Sequence, residues 1–127
     1  MTLHVWIIED DKDLGEMLER HLLHQRMRVS RFSEGKSALA TLDATDALPD
    51  VVCLDLALPD ISGFEVCARL RAHARAADVP ILVITARTSL EDHARADEVG
   101  ADAYMEKPIR LKAFMSAIES MTSTRIR

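Results

Sequence analysis

Two apolar runs in this chain end in carboxylates. Leu3 to Ile8 closes on Glu9-Asp10-Asp11, and Val51-Val52-Cys53-Leu54 closes on Asp55. Carboxylates brought together repel one another unless a cation lies between them, so the pattern makes a poor core and a good metal site. Oxygen donors select a hard cation, and a few carboxylates with open positions suit Mg²⁺ (or Mn²⁺) better than a full calcium cage. An aspartate beside such a cation can attack phosphorus and form an acyl phosphate. That chemistry needs in-line positioning and neutralisation of charge on the phosphoryl oxygens. Thr85 and Lys107 end two later strand-like segments, and would bring a hydroxyl donor and an ammonium to the same place.

The elements that must position these groups alternate between two periods. Strand-like segments run from Leu3 to Ile8, Met27 to Phe32, Val51 to Asp55, Ile81 to Thr85 and Asp102 to Met105. Helical spacing follows each: Leu14, Met17, Leu18 and Leu22 between Asp13 and Gln25; Ala38, Leu39 and Leu42 after a cap at Ser33; Phe64, Cys67 and Leu70 from Gly63; Ser89 to Val99, stopped by Gly100; and Leu111, Phe114, Ala117, Ile118 and Met121. Repeated strand-then-helix order predicts an α/β fold, a five-stranded parallel sheet with helices on both faces. The first, third and fourth strands are apolar throughout, as strands covered on both faces must be. The second and fifth mix polar residues and read as edges. The order 2-1-3-4-5 puts them there, the flavodoxin-like doubly wound arrangement. Its ligand crevice lies beyond the carboxyl ends of strands one and three. Glu9, Asp10, Asp11 and Asp55 then share one edge with Thr85 and Lys107.

Bulk properties bound the function. The 127 residues suit one domain, taken as residues 1–121 with 122–127 a tail or the start of a linker. A net charge of −5 with scattered basic residues argues against a nucleic-acid surface, the Arg125 and Arg127 pair being too short to count. No apolar stretch reaches the ~20 residues of a membrane helix, and no basic-then-apolar leader opens the chain, so a cytoplasmic protein is expected. Cys53 and Cys67 lie within apolar segments and read as small buried hydrophobes. His21 and His24, at i,i+3 spacing, read as a solvated helix face, and Trp6 as core.

Four segments together resemble the receiver domain of two-component response regulators: Ile7-Ile8-Glu9-Asp10-Asp11, Leu54-Asp55-Leu56-Ala57-Leu58-Pro59-Asp60-Ile61-Ser62-Gly63, Ile84-Thr85-Ala86-Arg87 and Gly100 to Pro108. The resemblance runs from Leu3 to about Met121. It implies that Asp55 is the phosphoacceptor, Asp10 a direct metal ligand, Glu9 a ligand through water, and the Ala57 backbone carbonyl a third protein ligand. Lys107 would pair with the phosphoryl group, Thr85 and Tyr104 would be the switch residues, and Lys107-Pro108 would be a cis peptide. A sensor histidine kinase or phosphotransfer protein would be the donor. The recipient of the signal would be an output domain beyond Arg127 or a separate target. The charge pattern that dimerises the winged-helix subfamily is incomplete, since its second acid is Ala103 here, which leaves a phosphorylation-dependent dimer open.

Local readings compete with some of these roles. Asp11 or Asp13 is expected to cap the first helix, and Asp60 to serve a Pro-Asp turn. Ala57 and Arg87 stand two residues after Asp55 and Thr85. They are expected to flank the water that hydrolyses the phosphoryl group and to set its lifetime, with Arg87 hindering or reorienting that water. Glu106 could pair with Lys107 or extend the acidic surface. A phosphorylation-independent interaction module of the same fold is the alternative function, though such a module has no need of three mutually repelling carboxylates. An aspartyl phosphohydrolase would want an acid where Ala57 stands. No Gly-rich loop follows the first strand to hold a nucleotide.

The helix from Ser89 to Val99 has a thin apolar anchor, read as Leu90, Ala94 and Val99, amid many charges. Moving elements are drawn from such low-stability parts. Amide exchange in residues 87–106 is therefore expected to slow or redistribute on activation, while residues 14–22 stay unchanged. Equal responses in both, measured by mass spectrometry, would count against it.

Overall fold

The structure is a computed structural model that describes residues 2–87 and 89–123. Its elements alternate as β1 (His4–Ile8), α1 (Lys12–His24), β2 (Arg28–Phe32), α2 (Gly35–Ala44), β3 (Val51–Asp55), α3 (Gly63–Ala72), β4 (Ile81–Thr85), α4 (Leu90–Glu98), β5 (Ala103–Glu106) and α5 (Leu111–Thr122). The strands form one parallel sheet in the order β2-β1-β3-β4-β5, as the apolar and mixed strand patterns predict. β1, β3 and β4 are buried along their whole length, and β2 and β5 are the partly exposed edges.

Period-two alternation divides the core in two. Val5, Ile7, Val51, Cys53, Leu82 and Ile84 pack with Leu18, Leu22, Phe114 and Ile118 of α1 and α5. Trp6, Ile8, Val52, Leu54, Ile81 and Val83 pack with Ala38, Leu42, Phe64, Leu70 and Ala96 of α2, α3 and α4. Both cysteines are buried and free. No helix among the described residues is long and apolar enough to cross a membrane.

Helix starts show where local sequence decides and where it does not. Asp11 caps α1, accepting from the Leu14 N–H at 3.1 Å. Ser62 and Ser89 cap α3 and α4 in the same manner. α2 departs from expectation, because Ser33 does not cap it. Its first turn is held instead by the Asp60 carboxylate, which accepts from Gly35 N at 2.9 Å and Lys36 N at 2.8 Å. Asp60 is thus more than a turn residue, since it ties the β3–α3 loop to α2. Partial burial works to raise its pKa, but the N–H groups of Lys36, Gly35 and Ile61 outweigh that and hold it below the ordinary value.

The anchor of α4 also differs. Leu90 is 88% exposed and Ala94 is exposed, while Val99 packs partly buried against the core as expected and Ala96 is the residue that α4 buries. α4 begins at Leu90, with Ser89 outside as the cap. Gly100 ends the segment at φ 98°, a left-handed backbone that glycine adopts without penalty. At the C-terminus, Thr122 belongs to α5, with its buried hydroxyl donating to the Ile118 carbonyl at 2.6 Å. Of the expected tail, residues 124–127, with Arg125 and Arg127, lie outside the described residues.

Gly63 brings α3 against the end of β3. A Cβ there would strike the Asp55 carbonyl oxygen and come within 2.6 Å of Leu56 Cα. These are backbone atoms that no side-chain rotation can move aside. Gly63→Ala is expected to cost at least about 2 kcal/mol. Gly35→Ala, which meets only the Val66 and Ile61 side chains, should cost less. Urea midpoints of the two variants check the order, and equal losses would refute it.

Candidate functional site

The β1–β3 register pairs Ile8 with Leu54, so the next residues, Glu9 and Asp55, emerge side by side at the strand ends. Oxygen atoms of Glu9, Asp10 and Asp55 all lie within 4.8 Å of one another. Glu9 and Asp55 are buried, and Asp10 faces solvent. Lys107 follows β5 and is carried to the group by its own N–H, which donates to the Thr85 carbonyl at 2.8 Å. The Lys107–Pro108 peptide is cis. The Lys107 ammonium lies 3.0 Å from Asp55 Oδ2 and 2.7 Å from Glu9 Oε1.

Each remaining oxygen has a distinct environment. Asp55 Oδ1 accepts from the Ala57 N–H at 3.1 Å. Glu9 Oε2 accepts from the Asp11 N–H at 3.0 Å. Glu9 Oε1, fully buried, makes its ion pair with Lys107 but has no aligned hydrogen bond. Burial pushes the Glu9 carboxyl up to about 7, against the pull of Lys107 and the Asp11 N–H and helped by the neighbouring Asp55. Burial draws the Lys107 ammonium down, and the Glu9 and Asp55 carboxylates more than offset it, so its pKa stands above the ordinary value. One ammonium thus serves two buried carboxylates and a third at the rim. An under-satisfied buried oxygen in an acid-rich, oxygen-only donor set is what a hard divalent cation fits.

Thr85 and Tyr104 meet on one residue. The fully buried Thr85 accepts at its hydroxyl oxygen from the Arg87 N–H at 3.1 Å, leaving the hydroxyl hydrogen to donate elsewhere. The Tyr104 hydroxyl donates to the Arg87 carbonyl. The Tyr104 ring stacks on His93 of α4 with centroids 3.7 Å apart and planes 26° from parallel. His93 Nε2 lies 3.3 Å from Glu106 Oε1, so Glu106 turns to α4 rather than to Lys107. Burial, Asp92 and Glu106 raise the Tyr104 phenol pKa, with Arg87 opposing. The guanidinium of Arg87 is engaged by Asp92 in α4, Nε to Oδ2 at 3.2 Å and Nη2 to Oδ1 at 3.1 Å. Ala57 is exposed at the rim.

The structure therefore gathers Glu9, Asp10, Asp55 and Lys107 into one cluster, with Thr85 beside it and Tyr104 one hydrogen bond further out. His21 and His24 line shallow cavities on the α1 surface, away from the cluster. Sequence reasoning missed Asp92, His93 and Asp60 as partners. Asp92 had a local signal, an acid three residues after the cap Ser89. His93 and Glu106 sit on different elements and share none.

Comparison with known proteins agrees with this geometry. Residues 5–119 match the family model of the response regulator receiver domain. The chain is 40% identical over 108 residues to the transcriptional regulatory protein YrkP of Bacillus subtilis, covering 85% of this chain and 44% of that protein. It superposes on the non-phosphorylated HemR receiver domain of Leptospira biflexa with a TM-score of 0.86 at 30% identity, covering 96% and 95% of the two chains. It superposes on the BeF3-activated DrrB receiver domain with a TM-score of 0.86 at 25% identity, covering 97% and 99%. The chain spans about half the length of the curated relatives it matches. With the family match covering nearly the whole chain, this protein belongs to the response regulator receiver domain family.

Proposed function

We propose that this receiver domain is a phospho-switch in which Asp55 accepts a phosphoryl group from a histidine kinase or a phosphotransfer protein. The observation that carries the reading is the Asp55 carboxylate held 3.0 Å from Lys107 within a cluster of acids. An Asp55 oxygen bonds to phosphorus as the phosphorus–nitrogen bond of the donor phosphohistidine breaks, and the electron pair leaves on the imidazole. Lys107 would then move from carboxylate to phosphoryl oxygen, and the Thr85 hydroxyl would donate to a second one. Glu9, Asp10, Asp55 and the Ala57 carbonyl would hold Mg²⁺ (or Mn²⁺), which when bound neutralises charge on the phosphoryl oxygens. A cavity of about 430 Å³ opens beside Glu9 and Asp10, lined also by Lys12, Arg31, Phe32 and Ser33.

The switch would run through Arg87. Its N–H meets Thr85 and its carbonyl meets Tyr104. Drawing the Thr85 hydroxyl toward phosphate strains the first bond and shifts the footing of the second. α4 buries little beyond Ala96 and would respond together with β5 and α5. That surface would control an output domain beyond this chain or a separate target, as the transcriptional regulators among its relatives suggest. Ala57 and Arg87 would tune how long the phosphoryl group persists. The second reading, a binding module that is never phosphorylated, leaves the Glu9, Asp55 and Lys107 cluster without a purpose.

Two measurements test the reading. Incubation with Mg²⁺ and a small-molecule phosphodonor should add one phosphoryl group by intact mass, and none to Asp55→Ala or without metal. A folded, Mg²⁺-binding protein that gains no mass would favour the binding module. The second measurement concerns Glu9, whose carboxyl is raised from 4.5 to about 7 in the folded protein. The folded state then binds more protons than the unfolded state between those values, so stability falls as pH rises through that window. In chelator, wild type should lose stability relative to Glu9→Gln between pH 5 and pH 7.5, values chosen at roughly the two ends of that window. Mg²⁺ should reverse the loss. Parallel urea midpoints for both proteins would contradict the assignment.

A further inference from the structure

The Arg87–Asp92 pair stands at the border between the acidic cluster and α4. Arg87 is two residues past Thr85, and its guanidinium carbon lies 5.7 Å from the centre of the Phe64 ring. Phe64 follows Gly63, whose backbone packs against the Asp55 carbonyl. The guanidinium thus lies beside Phe64, one residue from the glycine that packs on the Asp55 backbone, and is held by both oxygens of Asp92. Asp92 is itself well placed, because Oδ2 accepts from the Ser89 hydroxyl at 2.8 Å and its N–H is capped by Ser89. The side chains are unequally exposed, 48% for Arg87 and 16% for Asp92. A half-exposed pair of this kind is weak enough to exchange partners.

We propose that Asp92 is a positioning residue that parks Arg87 away from the phosphoryl group and so sets, from α4, the lifetime of the aspartyl phosphate. The proposal rests on the phosphoacceptor reading of Asp55. Phosphorylation places about two negative charges in the pocket, and these compete with the single charge of Asp92 for one guanidinium. While Arg87 is paired with Asp92, the approach to phosphorus stays open. When it swings to a phosphoryl oxygen, its planar fork covers that approach. The guarded step is hydrolysis. A water oxygen bonds to phosphorus, the bond from phosphorus to the Asp55 carboxylate oxygen breaks with its electron pair returning to the carboxylate, and dihydrogen phosphate leaves with both water hydrogens. An event that loosens the first turn of α4, such as a partner docking there, would free Arg87 and prolong the phosphorylated state.

The test is a double-mutant cycle on phosphate loss. Wild type, Asp92→Asn, Arg87→Ala and the double variant are loaded with phosphoramidate and Mg²⁺ and desalted, and their intact mass is followed. Asp92→Asn should lengthen the half-life roughly fivefold, equivalent to ~1 kcal/mol of barrier. Arg87→Ala should shorten it, and the double variant should match Arg87→Ala. Opposite signs from the two halves of one ion pair are the readout that a merely structural contact would not produce. If Asp92→Asn leaves the half-life unchanged or shortens it, the proposal is wrong. It is equally wrong if Asp92→Asn slows hydrolysis just as much without Arg87, since α4 disruption would then be the cause. If wild type takes up no phosphoryl group, the phosphoacceptor reading itself fails and this proposal with it. Normal uptake with unsplit half-lives removes this proposal alone.

Discussion

The repulsion between Glu9 and Asp55 is the constraint around which this domain is arranged. Parallel pairing of β1 with β3 delivers both carboxylates to one place, buried where water screens them little. One ammonium, from Lys107, lies within 3.0 Å of each. Removing a single partner from such a cluster leaves an uncompensated buried charge, which is far costlier than never burying the group. The edge of the sheet is therefore held in a state that another positive charge or a phosphoryl group can reorganise. Lys107 reaches it because its backbone is bonded to the end of β4, so the β5–α5 connection is positioned by the same acids that it neutralises.

Around this cluster the loops are braced rather than loose. Asp60 ties the β3–α3 loop to the first turn of α2, and Gly63 lays α3 directly on the Asp55 backbone. At the opposite edge of the sheet, away from the cluster, Arg71 of α3 donates to the Gly100 and Val79 carbonyls and pairs with Asp102, which also accepts from the Ile81 N–H. The Asp55 loop thus has fixed neighbours in α2 and α3. In the β4–α4 segment Arg87 bonds to Thr85, Tyr104 and Asp92, and Ser89 bonds to Asp92.

The charges of α4 face outward, its largest apolar side chain, Leu90, is exposed, and Ala96 is its buried contact. Arg95 stacks 4.2 Å from the centre of the Phe64 ring, and His93 stacks on Tyr104. The helix is therefore held largely by polar and aromatic contacts at its margins. Such contacts are individually weak and can be exchanged one at a time.

The strand pattern alone determined the sheet. Largely apolar segments at Leu3–Ile8, Val51–Leu54 and Ile81–Thr85 read as central and the mixed segments as edges, because a strand covered on both faces is mostly apolar. With that order in hand, Glu9, Asp10, Asp55, Thr85 and Lys107 were bound to share one edge. The cap Asp11 is equally legible, because a cap is read within three residues of its helix, whereas Ser33 does not cap α2. What stayed hidden lies between elements far apart in the chain. Asp60 caps a helix 24 and 25 residues before it, and Glu106 chooses His93 over its neighbour Lys107. The apolar anchor of α4 was misread at Leu90 and Ala94 because a charge-rich nine-residue helix that buries a single alanine, Ala96, offers few apolar side chains to mark its inner face. Tertiary packing chose which face it buries, and with it where Asp92 and His93 meet Arg87 and Tyr104.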